Sequence, residues 1–116
     1  MKKITIQDIQ NLKNQGTPFA TITAYDYLSA QIVDEADIPL ILVGDSASMT
    51  VYGYSTTVPV SMNEMLLVTK AVMRGVKCSL VVADIESQIF LSLPNISLTT
   101  VPLPTPLGPV RIISFF

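Results

Sequence analysis

Residues 40–59 read LILVGDSASMTVYGYSTTVP, an aliphatic run that stops abruptly at Gly44, Asp45 and Ser46 and opens into a long polar stretch. Four apolar residues bounded by Pro39 on one side and Gly-Asp on the other predict a strand buried on both faces, the kind found in a parallel sheet covered by helices. In α/β sheets and barrels of that kind, ligands bind beyond the carboxyl ends of the strands. Asp45 and Ser46 therefore stand where chemistry is usually located.

The flanking sequence repeats the theme. Upstream, FATITAYD (19–26) is rich in β-branched and aromatic residues and ends in Asp26, which predicts a first strand. Downstream, SLVVADI (79–85) predicts a third, ending in Asp84. Between them, Leu28, Ile32, Val33 and Ala36 fall at helical spacing with Gln31, Asp34 and Glu35 on the outer face. Ser61 and Glu64 match a capping box that starts a helix, Met65, Leu66, Val68, Thr69, Val72 and Met73 make its wide apolar face, on which Met62 also reads as core, and Arg74-Gly75 supplies the terminal charge and stop. Residues 46–60 are expected to form an irregular loop. Ahead of all this, Thr5 with Asp8, then Ile6, Ile9 and Leu12, then Gly16, predict a short amphipathic helix. Strand, helix, strand, helix, strand at these lengths implies an α/β fold with right-handed parallel crossovers.

Bulk composition narrows the function. With 116 residues, 49% of them hydrophobic, one domain with a real core is possible. A net charge of −2 and no basic cluster beyond Lys2 and Lys3 exclude an electrostatic footprint for nucleic acid or an anionic membrane. No uninterrupted apolar stretch reaches the roughly 18 residues that a bilayer requires. The absence of His removes the common Ser/His and Cys/His nucleophile arrangements and the usual zinc sites. Cys78, the sole cysteine, reads as a small core residue and points to a reducing compartment. MKKITIQDIQ lacks the apolar segment of a signal peptide, so a cytoplasmic protein is expected.

Three strands ending in Asp26, Asp45 and Asp84 would gather three carboxylates on one rim, a donor set suited to a hard divalent cation such as Mg²⁺. The competing reading is that each Asp caps the next helix or turn, where Asp is favoured. That reading is preferred for Asp26, while Asp45 and Asp84 remain open between the two. Ser46 either offers its hydroxyl to an anionic group or turns the chain. Tyr25, Tyr52 and Tyr54 read as packing residues with wet hydroxyls, and Glu64 as a cap.

The segments TITAYD, LVGDS with MTVYGYSTTVPV, AVMRG and VVAD, in this order and spacing between Ile4 and Ile85, resemble the ketopantoate hydroxymethyltransferase family. The resemblance implies a (β/α)8 TIM barrel, of which residues 1–85 hold the N-terminal helix and the first three strands, about three of the eight units of a complete barrel of about 250 residues. It implies Mg²⁺ as cofactor and 5,10-methylenetetrahydrofolate as co-substrate: deprotonation of 3-methyl-2-oxobutanoate beside its ketone gives an enolate, which takes up the one-carbon unit of the folate. Asp45 and Asp84 would bind the metal, and Asp45, Ser46 and Asp84 the ketoacid. No catalytic residue is identified in this chain, since the family's base and substrate-binding Lys belong to later strands. Members of the family form homo-oligomers.

Departures from the family pattern are local up to Ile85: Ala47-Ser48 stands for the usual Leu-Gly, and Val68 for a frequent His. After Ile85 the pattern and the charge vanish together. Glu86 and Arg111 are the only charged residues there, among Pro94, Pro102, Pro104, Pro106 and Pro109. Residues 86–116 are therefore expected to be an irregular Pro-rich tail and a foreign reading frame, leaving the third strand with an open edge and the chain truncated, poorly soluble and weakly stable. The alternative function is a non-catalytic α/β remnant or a small anion- or metal-binding module.

Overall fold

The structure, a computed structural model, describes residues 2–84 and the backbone of residues 112–114. Its elements follow the local signals closely. Thr5 caps α1 (Ile6–Asn14) by accepting the Asp8 amide at 3.2 Å, and Asp8 accepts the Thr5 amide at 2.8 Å in return. The Thr5 hydroxyl and amide, with Lys2 beside them, hold the Asp8 carboxyl down at about 2. Gly16, at φ 67, turns the chain out of the helix. Asp26 caps α2 (Tyr27–Glu35) through the Ser29 amide, and Ser61 and Glu64 form the expected capping box on α4 (Met62–Gly75).

Strands β1 (Thr21–Thr23), β2 (Leu40–Val43) and β3 (Leu80–Asp84) form a parallel sheet in that order, so the fold is α/β with strands joined by helical crossovers. Leu40 pairs with Leu80 and Val43 with Ala83. Central β2 and β3 carry the core: Ile41, Val43, Val81 and Ala83 pack with Met65, Val68 and Val72 of α4 and Ala30 of α2. By contrast, β1 is exposed along its length and, among the described residues, pairs only with β2.

Several expectations are corrected. The far edge of β3 is not open: β4 (Ile112–Ser114) pairs antiparallel with it, Ala83 opposite Ile113. The rest of the expected tail, the boundary at residue 85 and the reading-frame question lie outside the described residues. The stretch after Asp45 is not wholly irregular, because Ala47–Thr50 form a short helix, α3, whose first two residues are fully buried. Small side chains at 47 and 48 let this turn pack directly under the loop, and the Ser48 hydroxyl donates to the Thr56 carbonyl at 2.7 Å.

The third correction concerns the facing of α2. Leu28 and Ile32, expected to face the core, are 64% and 60% exposed, whereas Asp34, expected outside, is 6% exposed. Asp34 turns inward because the α4–β3 connection offers it a full set of donors. Its Oδ2 accepts the Lys77 amide at 2.9 Å, and its Oδ1 accepts the Cys78 amide at 3.1 Å and the Ser79 amide at 2.7 Å. The Ser79 hydroxyl lies 2.7 Å from both Asp34 Oδ1 and the Ile38 carbonyl and shares its one proton between them. The N-terminal segment joins the same knot, since the Ile4 amide donates to the Cys78 carbonyl at 2.7 Å. Cys78 is half-buried rather than a core residue, held here through its backbone.

Gly75 ends α4, with Arg74 in the last turn as expected, though without a left-handed conformation, and it has a further role in proximity. A Cβ at this position would stand 2.4 Å from the Tyr27 carbonyl oxygen and 3.2 Å from Ala30 Cβ, so only glycine lets α4 reach the first turn of α2.

Asp34→Ala removes the acceptor of three amides and a hydroxyl, and the unfolding free energy from urea titration should fall by about 3 kcal/mol or more. Burial pushes the Asp34 carboxyl up, but the Ser79, Lys77 and Cys78 donors outweigh it and hold the group below the usual carboxylate value. Its contribution is thus complete above the unfolded value near 3.9 and is lost as pH falls through the lower folded value. The stability difference between the native chain and Asp34→Asn should be full at about pH 6 and narrow below about pH 4. Gly75→Ala, which in an open helix gains about 1 kcal/mol, should instead lower stability here by about 1–2 kcal/mol, measured as the shift of the thermal midpoint.

Candidate functional site at the carboxyl rim of the sheet

The ends of β1, β2 and β3 place the candidate residues. Because Val43 pairs with Ala83, Asp84 closes β3 one step further along, level with Gly44, and Asp45 follows at the end of β2. The two carboxylates that the sequence left open thus leave neighbouring parallel strands at the same end, both partly exposed. Adjacent strands lie about 4.8 Å apart, so the two backbones stand close together at that rim. Asp26 does not join them. Its carboxylate accepts the Ser29 amide at 2.8 Å, which lowers its pKa, and it serves as the cap of α2.

Ser46 holds the N-cap position of α3, yet its hydroxyl makes no cap hydrogen bond. It is hydrogen-bonded instead to the hydroxyl of Tyr25, at the end of β1. The β1–β2 ladder explains the meeting: Thr23 pairs with Leu42, the Ala24 amide still donates to the Leu42 carbonyl at 3.1 Å, and two residues further on Tyr25 stands level with Gly44. Gly44 leaves room for the contact, since a Cβ there would sit 3.2 Å from Ser46 Oγ. Tyr25 is the rim residue that reading the sequence as packing missed. The available signal was positional, one residue before Asp26 on a strand next to GDS.

Tyr52 and Tyr54 use their hydroxyls elsewhere. Tyr52 donates to the Glu64 backbone carbonyl at 3.0 Å and Tyr54 to Glu64 Oε1 at 2.9 Å, while Glu64 Oε2 accepts the Ser61 amide at 2.7 Å. The Ser61 amide and then the Tyr54 hydroxyl lower the Glu64 pKa, and the same bond raises that of Tyr54. Glu64 is the expected cap and, in addition, the anchor that fastens the loop beyond α3 to the start of α4. Met62, Met65 and Met73 pack on the core side of α4, as expected.

Chemically the rim offers carboxylate oxygens, one hydroxyl pair and backbone amides. Among the described residues no group of three or more His, Cys, Asp and Glu side chains stands ready to enclose a metal ion by itself. An ion bound here would draw the remainder of its coordination from water or from a ligand's oxygens.

A model of the ketopantoate hydroxymethyltransferase family matches residues 3–98, a span that runs beyond Ile85. Among curated relatives, the 3-methyl-2-oxobutanoate hydroxymethyltransferase of Chloroflexus aurantiacus is 53% identical over 90 residues, covering 78% of this chain and 32% of the relative. Those of Mycobacterium leprae and Frankia alni are 52% identical over 83 residues and 42% identical over 98. The chain spans about a third of the length of these relatives. With most of its residues inside the family match, the chain belongs to the ketopantoate hydroxymethyltransferase family.

Proposed function

We propose that this chain supplies the ketoacid- and metal-binding rim for transfer of a hydroxymethyl group from 5,10-methylenetetrahydrofolate to 3-methyl-2-oxobutanoate, giving 2-dehydropantoate in pantothenate biosynthesis. The observation that carries the reading is the convergence of Asp45, Ser46 and Asp84 on one end of two paired parallel strands, within a stretch that matches the family. The same reading takes β1, β2 and β3 as the first strands of a (β/α)8 barrel, and a cytoplasmic homo-oligomer as its setting.

The donor set fits Mg²⁺. Asp45 and Asp84 supply two hard anionic oxygens, and Mg²⁺ is typically held by one or two carboxylates while substrate and water complete its shell. Bound there, it would supply a Lewis acid to the ketone of the ketoacid, stabilising negative charge as the adjacent carbon loses its proton. The chain's own groups orient the substrate. Ser46 directs its hydroxyl at the acid's carboxylate, and the carboxylates of Asp45 and Asp84 fix the cation side of the rim. Val43 and Ala83, buried behind them, keep the strand ends rigid and exclude water from beneath the site.

The test is calorimetric titration of 3-methyl-2-oxobutanoate with and without Mg²⁺, alongside a turnover assay that includes 5,10-methylenetetrahydrofolate. Binding that needs Mg²⁺, disappears with a chelator and weakens at least about tenfold in Asp84→Ala is the expected result. Binding indifferent to both chelator and Asp84→Ala, or no binding at all, would overturn the proposal. Turnover that vanishes in Asp84→Ala would extend it from binding to catalysis.

A further inference from the structure

Ser46 is the natural cap of α3, yet its hydroxyl is turned away from the helix amides and towards Tyr25. Its position is held from several sides. The Thr50 hydroxyl donates to the Ser46 carbonyl at 3.0 Å, the Ala47 amide to the Gly44 carbonyl at 3.1 Å, and Gly44 leaves space for Ser46 Oγ above the strand end. Tyr25 is equally fixed, because its ring packs against the core beside β2 while its hydroxyl reaches the rim. Two hydroxyls meet, and either can donate.

An anionic ligand removes that ambiguity. Carboxylate oxygens only accept, so a Ser46 hydroxyl that serves one must direct its single proton outward. Its lone pair is then left to accept from Tyr25, and a phenol, a stronger acid than an alcohol, is the better donor of the two. We propose that Tyr25 is a positioning residue that acts through Ser46: by donating to Ser46 Oγ it orients and polarises the serine hydroxyl towards the carboxylate of a bound ketoacid. Chains of hydrogen bonds polarise each successive donor, and the gain is largest when the last acceptor is charged. This inference rests on the ketoacid-binding reading above and adds to it a residue that does not itself touch the ligand.

A double-mutant cycle distinguishes relay from packing. Affinity for 3-methyl-2-oxobutanoate in the presence of Mg²⁺ is measured by calorimetry for the full native chain, Tyr25→Phe, Ser46→Ala and the double variant, with thermal midpoints recorded without ligand. Phenylalanine keeps the ring. Tyr25→Phe and Ser46→Ala should each weaken binding by roughly tenfold, and the double variant should bind about as Ser46→Ala does, because the tyrosine has nothing left to orient. In Ser46→Thr, which restores a hydroxyl, Tyr25→Phe should again weaken binding, and this holds as a test even if one single variant melts early. Tyr25→Phe binding as tightly as the native chain, or losses that multiply in the double variant, would overturn the positioning role. Failure of the native chain to bind the ketoacid would overturn the reading beneath it and this inference together, and is recognised by its occurring before any substitution is made.

Discussion

The buried carboxylate of Asp34 is the joint on which the rest of this structure depends. It gathers the end of α2, the turn that leads into β3 and, through Cys78, the segment ahead of α1. Immediately after that knot the Leu80 amide donates to the Pro39 carbonyl at 2.9 Å, and β2 and β3 run on in fixed register from Leu40 opposite Leu80. A slip of one residue would turn every side chain of a strand to the other face. The placement of Asp45 and Asp84 at the far end is therefore set at the near end. The site is specified by hydrogen bonds that lie at the opposite end of the sheet.

A second constraint, the approach of α4 to α2 at Gly75, fixes the layer that covers these strands. Where a side chain would have kept two helices apart, a glycine lets one backbone meet another, and Ala30, Val72 and Met65 close the space behind it. The polar loop beyond α3 is then fastened to α4 rather than to the sheet, through Glu64 and two tyrosines. Strand ends, short helix and loop thus form one continuous surface, each part held by a different kind of contact.

How much of this was legible beforehand depends on the range of the interaction. Thr5 with Asp8 and Ser61 with Glu64 are signals three residues long, and they marked helix starts correctly. The three strands, and the carboxylates at two of their ends, were visible in alternations of composition and in GDS. The orientation of α2 was not, because hydrophobic spacing cannot anticipate that an Asp will find three backbone donors more than forty residues away. Gly75 was legible as the end of α4 but not as the point of contact with α2, because helix ends and close helix contacts favour the same residue for different reasons. Tyr25 was passed over because its partner follows another strand, and strand pairing is a property of the sheet rather than of the segment.

The Asp34 knot also has a consequence in time. The donors that satisfy this carboxylate stand 43 to 45 residues further along the chain, so no segment around α2 can complete its own polar contacts. The entropy of closing so long a loop is spent before the contact returns anything, which makes such encounters slow relative to the formation of a helix turn. The early elements must wait, with the carboxylate still hydrated, until β3 has been made and brought alongside. Order of synthesis and order of consolidation are thereby separated, and the part of the chain that emerges first is among the last to become committed to its final shape.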